Sequence, residues 1–293
     1  MKQRIITGII MFAILLPLVF IENQVCEILY AILSVFMCTV GAYEFSSKRV
    51  SNKKVNPLVL IFSGLLGFSC LNATYQMQSG IYYYHLFTLM LFSLFAFILM
   101  GIGVFSKETD QKDMVNNVFC VLYTGMMLGY AMSLRYFSPV NLSHIFNLGN
   151  KCFLFVYLIG VLTDSFAYMF GIKFGKHKLI PSVSPKKSTE GAIFGLVGGG
   201  LGGIIGLFAF NILKSKDNLL ISVLICFGLS IIISMIAQLG DLVESKLKRN
   251  FNVKDFGNIL PGHGGILDRF DSYIYSGFFV LIVFTFIELI LAI

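Results

Sequence analysis

Apolar runs of about twenty residues recur along almost the whole chain, and no other feature limits its fold so strongly. A bilayer's hydrocarbon core takes ~20 apolar residues per helix, and backbone polar groups within it must be satisfied inside the helix itself. Nine such runs can be read, near residues 5–21, 25–43, 57–73, 83–103, 115–133, 152–170, 191–212, 218–240 and 272–292. Composition agrees: 57% of the 293 residues are hydrophobic and 13% charged, about half the charged share of a soluble domain. The predicted fold is an all-α integral membrane protein with about nine transmembrane helices. The opening Met1-Lys2-Gln3-Arg4 and its apolar run could pass for a signal peptide. No small-residue cleavage site follows, however, so a retained first span is expected.

Charge divides the loops. With the N-terminus in the cytoplasm, eighteen of the 22 Lys and Arg fall in cytoplasmic segments, and only Arg135, Lys151, Lys214 and Lys216 lie opposite. This bias predicts the N-terminus inside and the C-terminus outside. The net charge of +7 sits in those loops, which suits anionic headgroups or phosphorylated substrates and not nucleic acid. The six cysteines, Cys26, Cys38, Cys70, Cys120, Cys152 and Cys226, form no CxxC pair and no Cys/His cluster. They are expected to be small buried residues. Two regions are expected: residues 1–150 with spans one to five, and residues 151–293 with spans six to nine and two longer cytoplasmic loops, 171–190 and 241–271.

The chemistry concentrates in those loops. Asp241 ends span eight, while Asp268 and Asp271, three residues apart, begin span nine. Three carboxylates at adjacent helix ends near a membrane call for a positive partner. Oxygen-only ligation points to magnesium, and pairing with Lys and Arg is the plainer alternative. Between them, Pro261-Gly262-His263-Gly264-Gly265 is a glycine turn leading into a helix, an arrangement that offers backbone N–H groups to an anion. Lys248, Arg249, Lys254 and Arg269 can neutralise phosphate charge, with Arg suited to bidentate contacts. His263 reads as a proton donor, a phosphate contact or a turn residue. In the earlier loop, Asp164 lies inside a span with Tyr168 one turn on. Lys176, Lys186 and Lys187 gather there; plain topology could account for the lysines, but the prolines and hydroxyls set between them look like a shaped loop around phosphate or nucleotide. Glu44 and Gln238 read as ordinary interfacial polar residues. The glycine-rich run Gly195–Gly203 reads as a helix-packing surface, with a phosphate loop as the weaker alternative.

Ser245, Lys248-Arg249, Lys254-Asp255, Pro261-Gly262-His263-Gly264-Gly265 and Asp268-Arg269-Phe270-Asp271 together resemble the signature of the phosphatidate cytidylyltransferases, also called CDP-diglyceride synthases. The stretch from Asp164 to Gly191 is similar to that family as well. About 60 residues carry the specific likeness, and the first 150 match only as apolar spans. The resemblance implies CTP and phosphatidic acid as substrates and CDP-diacylglycerol and pyrophosphate as products, in phospholipid biosynthesis. It also implies a second cation such as potassium, a homodimer, and a site facing the cytoplasm from the cell membrane (the inner membrane in a bacterium). Two rivals are a CTP-dependent lipid-alcohol kinase, which lacks this signature, and a transporter, which usually shows repeated halves that are not found here.

Overall fold

The computed structural model describes residues 13–49, 55–106, 109–141, 147–212, 219–259 and 264–291. Its helices are α1 (13–20), α2 (Gln24–Arg49), α3 (Pro57–Met77), α4 (Tyr83–Phe105), α5 (Gln111–Tyr136), α6 (Asn150–Phe174), α7 (Thr189–Phe210), α8 (Leu219–Asn250) and α9 (Leu267–Leu291). From α2 to α9, eight helices are long and apolar enough to cross a membrane, as the sequence predicts. Residues 5–12 of the first expected span lie outside the described residues. Among the described residues the one sheet is an antiparallel pair, β1 (Lys178–Ile180) and β2 (Ser184–Ser188), in the loop after α6.

Two boundaries differ from the sequence reading. Helix α8 continues past residue 240 to Asn250, and α9 opens at Leu267, five residues earlier than expected. Hydropathy ends at Asp241, but most residues of the stretch Asp241–Asn250 tolerate or favour a helix. A Lys248–Glu244 pair at 3.0 Å, one turn apart, adds support. The basic segment expected in a loop is therefore a helical extension.

The chain forms two compact units, one of Met1–Tyr136 with Asp255–Arg269, the other of Phe137–Lys254 with Phe270–Ile293. In the first, hydroxyl pairs link neighbouring helices: Ser69–Thr88 at 2.7 Å, Thr74–Ser133 at 2.8 Å and Thr124–Ser63 at 3.1 Å. Such small polar contacts let helices approach closely where lipid removes the usual hydrophobic drive. The buried Arg135 donates to the Leu18 and Ile21 carbonyls and sits over the rings of Tyr30 and Tyr136, each 5.2 Å away. A lone guanidinium is thereby satisfied at the end of α1.

In the second unit, α7 packs through its glycine face. A Cβ on Gly198 would lie 2.5 Å from Phe166, and one on Gly199 2.5 Å from Ser234. Thr163 Oγ1 donates to Ser234 Oγ at 2.7 Å beneath that face. The glycine run thus serves close packing. All six cysteines are free thiols, five of them buried.

Candidate functional site

In the second unit, α6, α8, α9 and the β-hairpin bring opposite charges together. Ser272 Oγ lies 3.3 Å from Asp164 Oδ2 and 3.4 Å from Asp271 Oδ1, so one hydroxyl joins carboxylates 107 residues apart in sequence. The Ser272 N–H also donates to Asp271 Oδ1 at 2.7 Å. Asp241, Asp164 and Lys248 are the charges that act on Asp271. Asp241 itself receives the Lys187 ammonium on Oδ2 and the Ser245 hydroxyl on Oδ1, the latter at 3.3 Å. Lys187 stands on β2, so the short strand pair carries that ammonium to the end of α8. Like charges this close repel one another, and the two lysines offset only part of that repulsion.

The same hairpin is tied to α7 by residues the sequence reading did not single out for that role. Ser188 caps α7 by accepting the Gly191 N–H at 3.1 Å, as N-cap serines do. Glu190 accepts the N–H groups of Lys176 at 3.1 Å and His177 at 3.2 Å, and it meets His177 Nδ1 at 2.6 Å. Its sequence signal is an acid in the first turn of a helix, behind a serine cap. Tyr168, Lys176 and Lys186 are exposed.

In the first unit a second set of carboxylates organises the turn before α9. Asp268 Oδ2 accepts three N–H groups, from Phe256 at 2.9 Å, Gly257 at 3.3 Å and Gly265 at 2.9 Å. Glu44, in α2, accepts the Ile266 N–H at 3.0 Å and the Leu267 N–H at 3.1 Å. The glycine turn was expected to present these N–H groups to a phosphate. In this structure Gly265, Ile266 and Leu267 direct them to protein carboxylates. Glu44 is 1% exposed, which corrects its reading as an ordinary interfacial residue. The glycines make room for it: a Cβ on Gly257 would reach the Glu44 carboxylate at 2.1 Å, and one on Gly265 at 2.4 Å. Gly264 adopts φ +90°, a conformation L side chains rarely take. Phe256, fully buried, stacks on Phe45 with ring centres 5.5 Å apart and anchors the loop.

The remaining expected residues divide as follows. Arg249 is exposed and donates to the Val253 carbonyl at 3.4 Å, while Lys254 and Arg269 are exposed. Pro261, Gly262 and His263 lie outside the described residues. Among the described residues, no three His, Cys, Asp or Glu side chains form a ready-made metal site. Of the three carboxylates expected to hold magnesium, Asp241 and Asp271 belong to the second unit and Asp268 to the first. Asp268 takes part in its own loop's hydrogen bonding.

Eight membrane-length helices define a multi-pass membrane protein, and one of its two units gathers carboxylates and lysines from three of those helices and the hairpin. The pattern of the cytidylyltransferase family matches residues 2–287, and the chain belongs to that family. A relative named phosphatidate cytidylyltransferase, from Bacillus subtilis (strain 168), is 35% identical over 279 residues, covering 94% of both chains. One of the same name from Staphylococcus saprophyticus is 33% identical over 278 residues, covering 94% of this chain and 95% of that one. A third, from Staphylococcus haemolyticus, is 41% identical over 183 residues, covering 61% of this chain and 63% of its own. The chain is accordingly a nucleotidyltransferase that carries out CTP-dependent cytidylyl transfer.

Proposed function

We propose that this enzyme transfers CMP from CTP to phosphatidic acid, giving CDP-diacylglycerol and pyrophosphate. The observation that carries this reading is the cluster of Asp164, Asp241 and Asp271 with Lys187 and Lys248, in a chain whose relatives bear the name phosphatidate cytidylyltransferase. The lipid's phosphate monoester is already a nucleophile, so no serine or cysteine intermediate is needed. One of its oxygens attacks the α-phosphorus of CTP, the bond to the β-phosphate oxygen breaks, and pyrophosphate leaves with that electron pair. Catalysis then reduces to aligning two anions and shielding their charge.

The chain's own residues supply that alignment. Lys187 and Lys248 stand among the carboxylates, and Lys176, Lys186, Arg249, Lys254 and Arg269 are surface cations available to the triphosphate. Ser245 and Ser272 hold the carboxylates in place through the hydrogen bonds given above. The donor set around Asp271 is oxygen-only and fits magnesium. Among the described residues the carboxylates are not gathered as a ready-made three-residue site. Asp241 and Asp271 would supply one or two carboxylate ligands to that ion, which takes the rest of its shell from waters and substrate phosphates. When bound, it would offset charge on the transferring phosphate. Asp268 acts from its loop, where it fixes the turn that contains Gly264 and Gly265. His263 and Tyr168 complete the substrate contacts of this reading, and a second cation such as potassium and a homodimeric assembly belong to it too.

Three measurements test the proposal. Detergent-purified protein given CTP labelled at the α-phosphate, phosphatidate and magnesium should place label in the extracted lipid and release pyrophosphate. Label that stays in the aqueous phase sinks it, and lipid that takes up label only in a parallel assay with CTP labelled at the γ-phosphate would make the enzyme a kinase. Lys187→Ala should leave the protein inserted while raising the apparent KM for CTP or phosphatidate about ten- to a hundredfold, the worth of one charge-assisted contact. Unchanged kinetics would return Lys187 to a purely topological role. The site should face the cytoplasm, where CTP is made. An impermeant thiol reagent outside intact cells should therefore miss a cysteine placed at Asn252 and reach one at Ser79, and the opposite pattern overturns the orientation.

A further inference from the structure

Between α6, α8 and α9 of the second unit lies a cavity of about 110 Å³. Its wall is made of aliphatic, aromatic and cysteine side chains alone, among them Cys152, Phe155, Cys226, Ile233, Phe279 and Phe284. Close-packed interiors leave few voids of this size. With no hydrogen-bonding wall group, water has nothing to hold it. An apolar cavity on the order of 150 Å³ stays dry and accepts a benzene-sized guest. This one has room for the last few carbons of an alkyl chain.

Its position relative to the charged cluster is informative. The three helices that enclose it also carry Asp164, Asp241 and Asp271. Phe155, Ile233 and Phe279 stand nine, eight and eight residues from those carboxylates along their helices, about 12–14 Å at the helical rise. An extended chain advances roughly 1.2 Å per bond, as an extended backbone does over the three bonds of each residue. Five bonds through the glycerol and ester separate the phosphorus from the acyl carbonyl, so an eight-carbon chain ends roughly 14 Å from the cluster, at the near wall of the cavity. A sixteen-carbon chain ends roughly 24 Å away, at the depth of Cys226, which stands fifteen residues or about 22 Å from Asp241.

We infer that this cavity receives the end of one acyl chain of the lipid substrate while the lipid's phosphate lies at the carboxylate–lysine cluster. The inference rests on the phosphatidate reading above. Cys152 and Cys226, small and nearly fully buried, keep the cavity open where larger side chains would close it. The pocket thus measures chain length, in a part of the protein remote from the phosphates.

The test compares dipalmitoyl- and dioctanoyl-phosphatidate with the full-length protein in detergent. Cys226→Phe should lower kcat/KM for the dipalmitoyl lipid about tenfold, the scale on which an apolar pocket discriminates by size. It should leave the dioctanoyl lipid within about twofold. Equal losses with the two lipids, or no loss with either, overturn the inference. If Cys226→Phe does not fold, the other five cysteines are replaced by alanine, and Cys226 is modified with a small apolar thiol reagent. Dipalmitoyl-phosphatidate should then slow the modification and dioctanoyl-phosphatidate should not; equal rates overturn the proposal. Wild-type protein that makes no product from either lipid removes the substrate reading itself, and the inference with it.

Discussion

Asp271→Asn is expected to slow cytidylyl transfer by about a thousandfold or more while leaving the protein folded and inserted. Asparagine keeps the shape of the side chain and an oxygen that can still accept the Ser272 N–H, now 2.7 Å from Asp271 Oδ1. What it removes is charge. In the proposed mechanism that charge holds the cation that shields the phosphates, so the loss falls on the transition state. Stability should not drop, because Asp164 and Asp241 already press on Asp271 and removing one of three repelling carboxylates relieves strain. Asp255→Asn is the control, since Asp255 is exposed in the loop before α9. Asp268→Asn would be harder to read, because that carboxylate also holds three N–H groups of its loop. Initial rates across a magnesium series, at saturating CTP, are the measurement. A near-normal, magnesium-dependent rate in Asp271→Asn would remove the acidic cluster from the proposed mechanism.

The parts of this architecture that repeat locally could be read from the chain, and the parts built from distant pairs could not. Twenty-residue apolar runs announce spans one by one, and a run of glycines announces close helix packing. Asp241, Asp268 and Asp271 stand out because carboxylates beside a membrane are costly. Their division of labour depends on partners elsewhere. Asp268 meets its own loop's N–H groups, while Asp271 meets Ser272 and, through it, Asp164 on another helix. Glu44 lies 222 residues from the N–H group it accepts at Ile266, and no periodicity links two such positions. The charged end of α8 failed for a different reason. Hydropathy marks where a helix leaves the apolar layer, not where its hydrogen bonding stops, so Asp241–Asn250 read as loop.

Glu44→Leu is expected to lower the thermal midpoint in detergent and to loosen the start of α9, at a cost of about 2–4 kcal/mol. Leucine fills a similar volume but leaves the buried Ile266 and Leu267 N–H groups without their acceptor, and each orphaned donor costs about 1–3 kcal/mol. Part of that loss is offset, since a buried carboxylate is itself expensive to desolvate. The favourable position of a negative charge at a helix N-terminus is lost as well. Glu44→Gln separates the two effects. Its one carbonyl oxygen can still accept a hydrogen bond, but it carries no charge toward the helix end, so its midpoint should fall between those of the wild type and Glu44→Leu. Amide exchange locates the damage: Gly265, Ile266 and Leu267 should exchange faster in the leucine variant, while amides of the α6–α7 packing surface keep wild-type rates. A Glu44→Leu protein as stable as the wild type, with unchanged exchange at Ile266 and Leu267, would mean that the turn before α9 holds its shape without this carboxylate, and that Asp268 alone is sufficient to organise it.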